Sequence, residues 1–225
     1  MGVHDGHRER LKSRFFEYGL ESFNDLNALE LLLFYAIPRR DTNLIAHNLL
    51  NRFETLDGVF KASKQELCDV EGIGENSAGL IMLIPQIMKK TMVSATRKIV
   101  CIDNSDDAGS FFLPRFMGEE DEVAYMLCLD SQRRVIKCTE IGRGVVNSVN
   151  INLRQVVETA LKYKASSVII SHNHPNGIAL PSAEDDIVTK QISQALQMVG
   201  VYLADHIVVA EGDFVSYSDS NMLNF

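Results

Sequence analysis

A chain of 225 residues is too long for one small module and leaves room for two domains of about 100 residues each. Hydrophobic residues make up 46% and charged residues 23%, which excludes global disorder, and no apolar run approaches the roughly 20 residues of a membrane span. The net charge of −8 is unevenly spread: residues 1–98 carry 13 Lys and Arg against 13 Asp and Glu, whereas residues 99–225 carry 9 against 17. An acidic field of that sign disfavours phosphate-backbone binding by the second half. The charged start, MGVHDGHRERLKSRF, lacks the greasy core of a secretory segment, so a cytoplasmic location is expected. Cys68, Cys101, Cys128 and Cys138 have no Cys-x-x-Cys spacing and are read as buried thiols, not as disulfides or zinc ligands.

In chain order, apolar residues recur at helical spacing over residues 26–33 and 43–53, parted by Pro38 and Arg39-Arg40-Asp41. Ser63-Lys64-Gln65-Glu66 has the form of a capping box, in which the Ser and Glu side chains satisfy each other's free backbone donors. Val70-Glu71-Gly72-Ile73-Gly74-Glu75 then interrupts the pattern before apolar residues 80–88, giving helix, glycine turn, helix. Such a turn can offer backbone N–H groups to a phosphate. Here Glu71 and Glu75 flank it and no Lys or Arg lies between Gln65 and Gln86, which favours a packing role. The texture changes over residues 91–121, placing a domain boundary near residue 98. Beyond it, residues 123–129 and 135–141 read as strands joined by a turn at 130–134, residues 154–164 as a helix, 167–170 as a buried strand, 183–199 as a helix and 207–210 as a late strand. This predicts an all-α first domain, residues 1–98, and an α/β second domain, residues 99–225.

The stretch from Ser171-His172-Asn173-His174-Pro175-Asn176-Gly177 to Ser182-Ala183-Glu184-Asp185 carries the most chemistry. Alternate side chains of a strand share a face, so His172 and His174 can meet one metal ion. Pro175 and Gly177 turn the chain, and Ser182 is placed to cap the next helix with Asp185 at its third position, where the helix dipole favours a carboxylate. Asp186 lies about 100° further around that helix and should point elsewhere. Each feature alone is ordinary; their joint spacing is not. Two neutral imidazoles and an ionised carboxylate suit zinc, leaving a fourth position for water. Activating that water needs a base, and a coordinating histidine cannot serve. Glu122 and Glu140, near the ends of the first two strands, are the candidates. Ser182 could hydrogen-bond a tetrahedral intermediate if capping leaves its hydroxyl free. His206 is read as anchoring a strand and not as a ligand.

These residues resemble the JAMM (MPN+) metalloprotease motif: a distal Glu, His-x-His-Pro, seven residues, then Ser-x-x-Asp, a count met by His174, Ser182 and Asp185. EVAYMLCLD, HNHPNG, PSAEDD and Asp205-His206-Ile207-Val208 resemble the RadC branch of that group. GHRERLKSRF, LELLLFYAIPRRDTN and VEGIGENSA resemble the helix-hairpin-helix region that precedes the RadC domain. The resemblance implies a cytidine-deaminase-like α/β/α sandwich with zinc held by His172, His174 and Asp185. It also implies Glu122 in preference to Glu140 as general base, and amide or isopeptide hydrolysis of a protein or peptide substrate. The rival implication is a DNA-associated accessory role in recombination or repair, with DNA contacted through residues 1–98. Where the RadC pattern has Pro-Arg-Glu, this chain reads Leu153-Arg154-Gln155, so that Glu is taken as structural. A nucleobase deaminase is disfavoured because the Pro-Cys-x-x-Cys zinc signature is absent.

Overall fold

The computed structural model describes residues 3–144, 151–175 and 177–223, with side chains from Gly6 onward; Asn176 of the histidine-rich stretch lies outside them. The chain forms two compact units, Met1–Met88 and Lys89–Phe225.

In the first unit the helices are α1 (Val3–Tyr18), α2 (Asp25–Ala36), α3 (Thr42–Phe53), α4 (Leu56–Lys61), α5 (Lys64–Cys68) and the start of α6 (Glu75–Ala95). Side-chain oxygens start four of them: Asn24, Asp41 and Thr55 accept from backbone N–H groups of α2, α3 and α4, and Ser63 with Glu66 forms the expected capping box on α5. Leu29, Leu33, Ile45, Leu49, Leu67, Ile73 and Ile81 fill the core between them. Glu30 is buried in this unit, where its carboxylate accepts from Asn43 Nδ2 at 3.0 Å and meets His7 Nε2 at 3.0 Å. Gly72 takes φ +96°, and a Cβ there would stand 2.7 Å from Ile45, so the turn between α5 and α6 requires glycine.

The second unit continues with α7 (Ser105–Phe116), β1 (Glu122–Leu129), β2 (Val135–Gly144), α8 (Leu153–Lys162), β3 (Ser167–Asn173), α9 (Ala183–Gln197), β4 (Tyr202–Ala210) and β5 (Asp213–Ser216). The strands form one sheet in the order β2-β1-β3-β4-β5. β1 runs antiparallel to β2 and β3, β3 parallel to β4, and β4 antiparallel to β5. The parallel pair requires a crossover, which α9 supplies. Period-two burial divides the apolar residues between two faces. Phe111, Phe112 and Phe116 of α7 pack on Val123, Leu127, Ile169 and Ile207. Val156 of α8 and Ile192 and Leu196 of α9 pack on Met126, Cys128, Val168, Ile170 and Leu203. Each such buried side chain contributes about 1.5–3 kcal/mol relative to exposure. The result is an α/β domain with helices on both faces of a five-stranded sheet.

β4 begins five residues before the strand expected from sequence, at Tyr202. The cause is a bulge: Val168 pairs with Leu203 and Ile169 with Asp205, leaving Ala204 as an extra residue. The alternation of apolar residues is broken there, so the first half of the strand carries no clear period-two signal.

Candidate metal centre

β1 and β3 bring two expected residues to one end of the sheet. Ala124 stands directly opposite His172, so Glu122, two residues earlier on β1, shares the face and end of the sheet occupied by His172 and His174. From the other side, α9 presents Asp185 from its first turn. Ser182 caps this helix in a full capping box: its N–H and hydroxyl donate to Asp185 Oδ2 at 2.8 and 2.7 Å, and its oxygen accepts from Asp185 N–H at 3.1 Å. The hydroxyl hydrogen of Ser182 is thereby committed to Asp185, and it would have to turn away from the cap to reach a substrate oxygen.

The donor atoms converge. His172 Nε2 lies 3.0 Å from His174 Nε2 and 3.1 Å from Asp185 Oδ1, and His174 Nε2 lies 3.3 Å from Asp185 Oδ2. Ligand atoms of a tetrahedral zinc, each about 2.0–2.1 Å from the metal, stand about 3.3 Å apart, a spacing that each histidine nitrogen approaches with the other and with one Asp185 oxygen. Among the described residues these three form the group of His, Cys, Asp and Glu side chains able to hold a metal ion.

Counting hydrogens identifies which lone pairs face that point. Thr189 has one hydroxyl hydrogen, and it donates to the Asp185 carbonyl at 2.5 Å. Toward His206 Nδ1, at 2.6 Å, Thr189 must therefore accept. His206 is fully enclosed, and burial holds its pKa far below the ordinary value, so it is neutral and its only N–H is the one given to Thr189. His206 Nε2 therefore accepts from His172 Nδ1–H at 2.8 Å. His174 Nδ1 faces the Ile178 carbonyl at 3.1 Å and must also carry its hydrogen. With one hydrogen on each ring, both imidazoles turn a bare Nε2 toward each other and toward a carboxylate, an arrangement that needs a proton or a cation at its centre.

The electrostatics agree. Burial pushes Asp185 up, but bonding to His172 and His174, with Ser182 in support, outweighs it and holds the carboxyl far below its usual range. His174 is raised, chiefly by Asp185, with the Glu122 charge among the contributors. Glu122 itself is buried and makes no hydrogen bond or ion pair among the described residues. Glu140 is placed elsewhere: it stands opposite Tyr125 on β2, on the α7 side of the sheet, and pairs with Arg143 at 3.0 Å.

Two neighbours escaped the sequence reading. Thr189 lies one helical turn after Asp185, the only signal of its role. His206, read from sequence as a strand residue, lies on β4 with its ring against His172. Asp186 points away from the centre, accepting from the Tyr217 hydroxyl at 2.9 Å. Of the cysteines expected to be buried, only Cys128 is fully so; Cys68, Cys101 and Cys138 are partly exposed. Burial pushes the Cys128 and Cys138 thiols up to about 11, which leaves them unsuited to nucleophilic work at neutral pH.

A family model described as the RadC-like JAB domain matches residues 102–222, more than half of the chain. The chain belongs to the RadC family. Among its relatives are UPF0758 proteins of Fusobacterium nucleatum, 33% identical over 97% of both chains, and Pseudoalteromonas translucida, 31% identical over 96% of both. Another, from Shewanella halifaxensis, is 31% identical over 99% of this chain and 97% of its own. The RadC match begins just before α7 and includes every element of the sheet, so His172, His174, Asp185 and Glu122 all fall inside it. No helix among the described residues is long and apolar enough to cross a membrane.

Proposed function

We propose that this RadC-family chain is a zinc-dependent hydrolase acting on an amide or isopeptide bond of a protein or peptide. The observation that carries the reading is the convergence of two bare imidazole nitrogens and an ionised carboxylate within 3.0–3.3 Å, beside the buried and unpaired Glu122. Zinc held by His172, His174 and Asp185 would supply Lewis acidity, polarising the carbonyl and making water a competent nucleophile at neutral pH. Glu122 receives the proton of the attacking water and returns it to the leaving nitrogen as the C–N bond breaks, so that an acid and an amine are released. Ser182 holds Asp185 in place through the cap. We further propose that the domain has the cytidine-deaminase-like architecture implied by the resemblance, and that the helical region ends near residue 98.

The test is zinc content by elemental analysis together with cleavage of isopeptide-linked and linear peptide libraries by the full chain. One zinc per chain and cleavage lost in Glu122→Gln support the proposal. A chain that takes up no zinc when refolded with the metal would sink it. The rival role on DNA predicts binding through residues 1–98 that weakens steeply with salt. In the structure, Gly74 N–H is already bonded to Ser77 Oγ at 2.9 Å, and Glu75 to Lys64 at 2.7 Å, which favours the packing role for the glycine turn.

A further inference from the structure

Behind the ligand His172 stands a buried chain of hydrogen bonds that the hydrolase reading does not use. It runs from His172 Nδ1 to His206 Nε2 at 2.8 Å, from His206 Nδ1 to Thr189 Oγ1 at 2.6 Å, and from Thr189 Oγ1 to the Asp185 carbonyl at 2.5 Å. His206 and Thr189 are 1% and 0% exposed, so no water competes for these bonds. We infer that His206 and Thr189 are positioning residues that lock His172 in the tautomer able to ligate a metal and tie the Asp185 turn of α9 to the histidine strand. The inference rests on the zinc reading for its use, but its geometry stands independently.

The device depends on direction. Thr189 gives its hydrogen to the carbonyl four residues back, a familiar helix back-bond, and so keeps only lone pairs for His206. That forces the His206 hydrogen onto Nδ1, which forces the His172 hydrogen onto its own Nδ1, leaving His172 Nε2 bare. If the acceptor at residue 189 is removed, the cheaper state is the reverse one. His206 then carries its hydrogen on Nε2 and donates it to His172 Nδ1, and His172 must carry its own hydrogen on Nε2, where it blocks the metal. The bulge at Ala204 makes the contact available. Leu203 packs on the α8 and α9 side, and simple alternation from it would send His206 to the α7 side; the extra residue returns it to the His172 face. Tyr217 lies flat on the His206 ring, with centroids 4.8 Å apart and planes at 15°, and its hydroxyl holds Asp186, so the ring has little freedom to swing.

The experiment uses the full chain and its Thr189→Val, Thr189→Ser and His206→Gln variants. Zinc affinity is measured by competition with a chromophoric chelator, and the tautomers of the metal-free histidines by long-range nitrogen-15 NMR. Thr189→Val should fold, bind zinc about 10–100-fold more weakly and show His172 protonated at Nε2, whereas Thr189→Ser should restore both properties. His206→Gln, whose amide can still accept from His172, should be milder than Thr189→Val. Zinc affinities within twofold across the series, or an unchanged His172 tautomer in Thr189→Val, would overturn the inference. If Thr189→Val fails to fold, the wild type decides: His172 protonated at Nε2 refutes the lock, and at Nδ1 supports it. A wild type that shows His172 protonated at Nδ1, lost in Thr189→Val, but binds no zinc would uphold the lock and refute the hydrolase.

Discussion

Replacing Asp185 with Ala separates two roles of one carboxylate. As the third residue of α9 it accepts two hydrogen bonds from Ser182, at 2.7 and 2.8 Å; as a candidate ligand it faces both histidines. Loss of the cap should cost about 1 kcal/mol. In a unit of the size of Lys89–Phe225 this lowers the thermal midpoint of the metal-free protein by roughly 3 °C. The ligand role is larger. With free zinc at about 100 times its dissociation constant, binding adds about 2.7 kcal/mol to the wild type and raises its midpoint by roughly 8 °C. Asp185→Ala should lose that rise, because two imidazoles alone do not retain zinc at the same concentration. Ser182→Ala is the control: it breaks the same cap but keeps all three ligands, so its metal-free midpoint falls while the zinc-dependent rise survives. The assay is differential scanning calorimetry in a zinc buffer. A rise in Asp185→Ala equal to that of the wild type would show that the carboxylate does not ligate the metal.

Three further outcomes are expected. Because Asp185 raises His174 above its ordinary 6.5, the metal-free site holds a proton that zinc must displace, so chelator competition between about pH 5 and 8 should show affinity falling as pH falls through the raised value. The sign for the metal-free fold is opposite: the His174 proton stabilises it below 6.5, and that stabilisation is lost as pH rises through the raised value; a metal-free stability that instead increased over this interval would contradict the assignment. Glu122→Gln should keep one zinc per chain and lose about 10²–10⁴ in hydrolytic rate; a full-rate variant would remove Glu122 from the mechanism. Gly109→Ala places a Cβ 2.3–2.6 Å from the Phe214 ring, and although it gains about 1 kcal/mol of helix propensity, overpacking of about 1–3 kcal/mol should leave it less stable in urea, with zinc content unchanged.

The locally encoded parts of this site were legible in the sequence. The pleat of a strand puts His172 and His174 on one side whatever the rest of the chain does, and a Ser three residues before an acid at a helix start makes a cap from its own backbone donors. The choice between Glu122 and Glu140 was not local, because both lie on strands of the same domain. Register separates the two residues: Ala124, two residues after Glu122, faces His172, whereas Glu140 faces Tyr125 beside an irregularity in the β1 and β2 pairing. The role of His206 was hidden for the same reason. A single extra residue at Ala204 reverses the face it occupies, and sequence periodicity reports a bulge only as a weak strand.

The position of Glu122 gives a separate argument for a cation at this centre. Glu122 is 9% exposed, its carboxylate makes no hydrogen bond or ion pair among the described residues, and its charge acts on His174. Without a metal, the positive charge available to it is the proton that Asp185 favours on His174, and a proton is a poor partner because its occupancy falls as the pH rises. A divalent ion in the same position offsets both Asp185 and Glu122 and does not titrate away at neutral pH. The crossover from β3 to β4 places the first turn of α9 against the carboxyl end of β3, where α/β sheets bind their ligands. There Asp185 meets the two imidazoles, and the Glu122 charge is close enough to act on His174. Two of the 17 acidic residues of the second half thus stand where a cation would offset their charge.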